Sequence, residues 1–148
     1  MVYKLVTAKS PMVMYLFVGI IFLITNNGES SILSFISILL ILFIITTFNL
    51  KTEFIINQEE LNYVIKIYGF NFFHKKLSSA DIDKILFKRF GWATKGAILQ
   101  LHKGINLRIV QFIPKDIMLQ LETFAINNNV TISKSKDYLL LERREKYR

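Results

Sequence analysis

The chain has 148 residues, a net charge of +8 and no cysteine. That length suits one folded domain beside a smaller segment, and the missing cysteine excludes disulfides, thiolate zinc sites and thiol catalysis. Apolar residues make up 52% of the chain, but the first fifty positions hold a disproportionate share of them.

Lys4 and Lys9 lead into two uncharged apolar runs, Pro11 to Thr25 and Ser31 to Leu50, joined by Asn26-Asn27-Gly28-Glu29-Ser30. No small-x-small cleavage site follows the first run, so it reads as retained. Its fifteen residues would cover only about 22 Å of a hydrocarbon layer about 30 Å thick, whereas the twenty of the second run reach about 30 Å. Residues 1–50 therefore predict a membrane anchor, with helices at about 11–25 and 31–50. The second helix is a span. The first is either a span lengthened by Leu5 and Val6 with Lys9 snorkelling, or a partly inserted segment, so one span or two are both open. Asn27-Gly28 signals the turn between antiparallel helices.

Basic residues at the outer ends of the runs, against Glu29 alone in the connection, place the C-terminal domain in the cytoplasm of a membrane-bound protein. Ser31, Ser34 and Ser37 recur at spacing three and Gly19 lies in the first helix. Such residues permit close helix contact, but hydroxyls bonded back to their own helix are the commoner arrangement. Neither run contains Lys, Arg, Asp, Glu or His, so ion transport has no support.

After Lys51 the period shortens to that of strands. Glu53 to Asn57, Leu61 to Tyr68, Phe70 to Lys76, Ile85 to Phe90, Ala97 to His102 and Ile105 to Phe112 read as six short strands separated by turn residues. Pro114 and Asp116 open a helix over 114–127 with Ile117, Leu121, Phe124 and Ala125 on one face. Val130 to Ser133 is a further extended piece. The predicted domain thus covers 51–133, and 134–148 is a charged tail, helical or frayed. From Lys51 onward there are 17 basic and 10 acidic residues, a surplus that favours an anionic partner, with anionic lipid headgroups expected and no nucleic-acid motif present.

His74, Ser78, Ser79, Asp81 and Asp83 include the residue types of a hydrolytic triad. They crowd around one turn without a glycine-rich elbow, so capping chemistry is the better reading. No catalytic, cofactor or metal residue is assigned, and the chain reads as non-enzymatic. The distinctive stretch is Lys88-Arg89-Phe90-Gly91-Trp92-Ala93-Thr94-Lys95, which sets the only tryptophan beside three cations. With Lys75 and Lys76, the residues Lys88, Arg89, Trp92 and Lys95 form the candidate membrane or partner surface. The opposite reading packs Trp92 into the core of an ordinary hairpin.

Two apolar helices, antiparallel strands at Phe54-Ile55-Ile56, Leu61 to Ile67 and Leu77 to Ile85, and a helix entered through Pro114-Lys115-Asp116 resemble the membrane-anchored bacterial pleckstrin-homology-like family. That resemblance implies a transmembrane hairpin followed by an antiparallel β-sandwich or partial barrel capped by a C-terminal helix. The whole chain is also similar to the immunity proteins that accompany glycosylated bacteriocins. This implies self-protection of a producing cell at the inner face of its membrane, with the bacteriocin or its membrane target as partner. The alternative is a membrane scaffold or regulator binding a lipid or membrane protein. The turn Asn57-Gln58-Glu59-Glu60 has two acids where phosphoinositide-binding members carry bases.

Overall fold

The computed structural model describes residues 1–6, 9–25 and 31–147. The connection Asn26 to Ser30, with its expected Asn27-Gly28 turn, lies outside the described residues, as do the side chains of Lys9 and Ser31. The elements in order are β1 (Val2–Leu5), α1 (Lys9–Thr25), α2 (Ser31–Phe48), β2 (Leu50–Ile56), β3 (Glu60–Ile67), β4 (Phe70–Ser78), β5 (Ile82–Phe90), β6 (Thr94–Leu101), β7 (Leu107–Val110), β8 (Phe112–Ile113), α3 (Ile117–Asn127), β9 (Thr131–Lys134) and α4 (Lys136–Lys146). The chain separates into two compact units. One is Met1–Val6, Thr52–Val64 and Phe73–Arg148, and the other is Thr7–Lys51 and Ile65–Phe72.

The strands form two open sheets, of order β4-β3-β2-β1-β8 and β7-β6-β5-β9, all within the first unit except residues 50–51 of β2 and the ends of β3 and β4 within Ile65–Phe72. β1 lies antiparallel between β2 and β8, with Tyr3 opposite Phe54 and Leu5 opposite Phe112. β5 pairs antiparallel with β6, β6 with β7, and β9 joins β5 in parallel. Alternation aims one set of side chains inward. Tyr3, Phe54, Leu61, Ile85, Phe87, Leu99, Ile109 and Leu121 are fully buried in a single core completed by α3 and by Tyr138 of α4. Phe54 meets both Tyr63 and Phe112 edge to face, the arrangement aromatic quadrupoles prefer.

Four expectations about the fold are corrected here. First, the apolar runs do form helices, but among the described residues no helix is long and apolar enough to cross a membrane. Seventeen and eighteen residues correspond to about 25 and 27 Å, short of the roughly 30 Å layer. The count of twenty overran because the helix stops at Phe48: the Asn49 amide turns back to Thr46 O at 3.1 Å, and Leu50 already belongs to β2. The transmembrane hairpin, the cell-membrane location and the cytoplasmic placement of the C-terminal domain all depended on that length, and they fall with it.

Second, the β region is neither a purely antiparallel sandwich nor a closed barrel but part of an α+β domain, because the short β9 runs parallel to β5. Third, Met1–Val6, grouped above with the anchor, is a strand of the first unit whose Tyr3 is 0% exposed. Fourth, α3 begins at Ile117 rather than Pro114; the Ile113-Pro114 bond is cis and Asp116 stands at the helix N-cap.

In the second unit α1 packs on α2. Gly19 is the close point, where a Cβ would meet Ile41 Cγ1 at 3.2 Å. Ser37 donates to Leu33 O at 2.8 Å, a hydroxyl bonded back along its own helix. Val13, Met14 and Tyr15 are consecutive and all exposed, as are Leu39 and Leu40. Consecutive helical residues point about 100° apart, so the helices present apolar side chains in every direction. Phe70 and Phe72, in the same unit, are exposed too.

Candidate functional site

The hairpin that carries the candidate residues is positioned by β5, β6 and the turn between them. Gly91 takes a positive φ of 55° and lets the chain reverse. Trp92, at the tip, is 97% exposed, so it is not a core plug. The register sets Lys88 opposite Gly96, Arg89 opposite Lys95 and Phe90 opposite Thr94.

The two faces of this sheet part company electrostatically. Arg89 and Lys95 lie on the inward-facing side and are met by α4. Arg89 pairs with Asp137 at 3.2 Å, and Lys95 reaches Glu145 at 2.6 Å while sitting 5.6 Å from the Tyr138 ring. α4 is held there by the Ser135 hydroxyl, which accepts from Tyr138 N at 3.2 Å, and by buried Tyr138 and Leu141. Lys134 bonds both Glu122 and Glu142. Burial works to lower its pKa, but the two hydrogen bonds and the charges of the same two carboxylates together outweigh it and leave the pKa raised. Burial, then the Glu142 charge, push the Tyr138 hydroxyl far up.

The outward positions in register are Lys84, Leu86, Lys88 and Phe90 on β5, Thr94, Gly96, Ile98 and Gln100 on β6, Arg108 and Val110 on β7, and Thr131 and Ser133 on β9. None is acidic. Asp83 sits in the irregularity between Ile82 and Lys84, at the end of β5 far from Trp92. The Phe90 ring lies against Gly96, where a Cβ would come within 2.5 Å of Phe90 Cδ2 and 2.7 Å of Val110 Cγ2. Arg108 stands over that ring at 4.2 Å and Lys88 at 5.2 Å, so both cations are oriented by an aromatic surface.

Lys75 and Lys76 are on β4, in the other sheet. Lys76 pairs with Glu60 at 2.7 Å. Lys75 donates to Ile105 O at 3.4 Å, beside the β6–β7 turn and therefore roughly 25 Å along β6 from the Trp92 end. The six expected residues are thus not one basic rim. Lys88 lies on the outward, acid-free face and Trp92 at the tip of the hairpin; Arg89 and Lys95 are met by carboxylates on the other face; Lys75 and Lys76 lie elsewhere. Sequence reading missed Lys84, whose signal was the alternation Lys84-Leu86-Lys88-Phe90. It also missed Arg108, which only the β6–β7 pairing brings over Phe90.

The polar cluster at the β4–β5 turn is a clasp. Ser78 donates to Asp81 Oδ2 from both its amide and its hydroxyl, each at 2.8 Å. These bonds hold the Asp81 carboxyl below its ordinary value. His74 instead contacts Asn62 at 3.3 Å. Among the described residues no group of three or more His, Asp or Glu side chains is arranged to hold a metal ion. A cleft of about 660 Å³ lies between the Asn57–Glu60 turn and α3, lined by Ile56, Glu59, Gln120 and Phe124 among others; Glu60, in its wall, is already engaged by Lys76.

No protein-family model matches the chain, and no curated protein matches it. The resemblance to membrane-anchored pleckstrin-homology-like proteins, and within them to bacteriocin immunity proteins, is therefore corrected. Its motifs are strand and turn spacings that many small β domains share, and its anchor lacks a helix able to cross a membrane. The immunity function and the alternative membrane scaffold, both placed at a membrane face, lose that support together.

Proposed function

We propose that the chain is a non-enzymatic binding protein that holds an anionic partner on the outward face of the β7-β6-β5-β9 sheet. The observation that carries this reading is the acid-free set Lys84, Lys88 and Arg108, two of them seated over Phe90, while the neighbouring Arg89 and Lys95 are consumed by α4. Elsewhere on this unit Glu60, Glu122, Asp137, Glu142 and Glu145 each pair with a cation, whereas the outward positions of this sheet offer no carboxylate to theirs. Clustered unpaired cations raise the local concentration of an anion and speed its capture. The residue types of hydrolysis support binding over catalysis: Ser78 is spent on Asp81, and His74 lies on Asn62.

The test separates site from net charge. Full chain in mild nonionic detergent is loaded on immobilised heparin, and K84Q/K88Q/R108Q is compared with K103Q/K115Q/K136Q. Each variant lowers the net charge of +8 by three. The sheet-face variant is expected to elute at clearly lower salt and the control close to the parent. Equal shifts of the two variants would reduce the retention to bulk charge and end the reading.

A further inference from the structure

The outward face has a second property, which concerns what kind of anion it fits. In register across the strands, Ser133, Leu86, Ile98 and Arg108 form one row, with Lys88, Gly96 and Val110 in the next. Leu86 and Ile98 are thus an aliphatic centre, and Lys84, Lys88 and Arg108 stand around it. Lys84 and Lys88 are about 13 Å apart along the strand, and Arg108 is two strands, roughly 10 Å, from β5.

We infer that the partner is an acidic polypeptide segment that seats an apolar side chain on Leu86 and Ile98 and directs carboxylates to Lys84, Lys88 and Arg108. The inference rests on the anion-binding reading above. An apolar centre rimmed by charge is the anatomy of a protein interface. Single-stranded nucleic acid needs open aromatic faces on which bases stack, and Phe90 offers none: Gly96 lies against its ring and two cations stand over it. Trp92, 97% exposed, is the one aromatic left free on the hairpin, and a lone exposed tryptophan is suited to anchoring a protein partner. The cations stand around aliphatic side chains rather than in a line that would track a phosphate backbone.

Fluorescence anisotropy of labelled probes on the full chain tests this. The probes are a short Glu-rich peptide carrying one Leu, the same peptide with Gly in place of Leu, and oligothymidylate of equal charge. The Leu peptide is expected to bind about tenfold more tightly than the Gly peptide, the yield of burying one such side chain. L86Q/I98Q should abolish that difference while leaving heparin retention intact. Equal affinity of the two peptides for the parent chain, or tighter binding of oligothymidylate than of either, overturns the polypeptide assignment and spares anion binding. Loss of the heparin effect in the preceding test overturns both.

Discussion

Gly96 shows how one residue couples the stability of the sheet to its chemistry. Its lack of a side chain is what lets Phe90 lie flat against β6 and carry Arg108 at 4.2 Å. The change Gly96→Ala puts a carbon within 2.5 Å of the Phe90 ring and 2.7 Å of Val110. Overpacking of this kind costs about 1–3 kcal/mol, so a lower urea midpoint at unchanged slope is expected. An unchanged midpoint would mean that the ring moves aside freely and that the Arg108 platform is not fixed. At the β4–β5 turn, the two Ser78 donors favour ionised Asp81 and lower its folded pKa beneath the ordinary 3.8. A group depressed in the folded state stabilises above its unfolded pKa and loses that contribution as pH falls through the folded one. The Asp81→Asn variant should therefore be less stable than the parent at neutral pH, with the gap narrowing below about pH 4. A constant gap from pH 7 to pH 3 in thermal melts would refute the coupling.

At the scale of elements, the apolar helices are an insertion between two paired strands. β1 and β2 are antiparallel neighbours, with Val2 opposite Ile55, Tyr3 opposite Phe54 and Lys4 opposite Glu53. Everything from α1 to α2 is thus the connection of a β-hairpin. Replacing residues 7–50 with an Asn-Gly turn, which suits two-residue hairpin loops, leaves Val6 and Lys51 as the flanking pair. This variant is expected to melt cooperatively by circular dichroism and to sediment as a single species in plain buffer. The full chain should associate there, because helices apolar on every side require cover. A variant without a cooperative transition would show that the first unit depends on the insertion. α4 illustrates a second elemental effect: a tail rich in charge is a structural cap, because helical spacing delivers Tyr138 and Leu141 to the core while Asp137 and Glu145 reach cations of β5 and β6.

Across the whole molecule, local periodicity determined much. The strands of β3, β4, β5 and β6, the apolar helices, the α3 stripe of Ile117, Leu121, Phe124 and Ala125, and the extended piece after Asn129 were all legible within a few residues. Period and turn chemistry are properties of neighbouring residues and need no tertiary information. The alternation of Tyr3 and Leu5 was also present, but its meaning depended on Phe54 and Phe112, far along the chain. What only the tertiary structure decided are matters of pairing: that Met1–Val6 belongs with the β domain, that β9 is parallel, that α2 ends at Phe48, and that three of the expected cations already have carboxylate partners. A cation's availability depends on which carboxylate reaches it, and the partners of Lys76, Arg89 and Lys95 lie 16, 48 and 50 residues away in sequence. Composition therefore announced a basic protein, while strand register alone separated the neutralised side of the Trp92 hairpin from the acid-free face beside it.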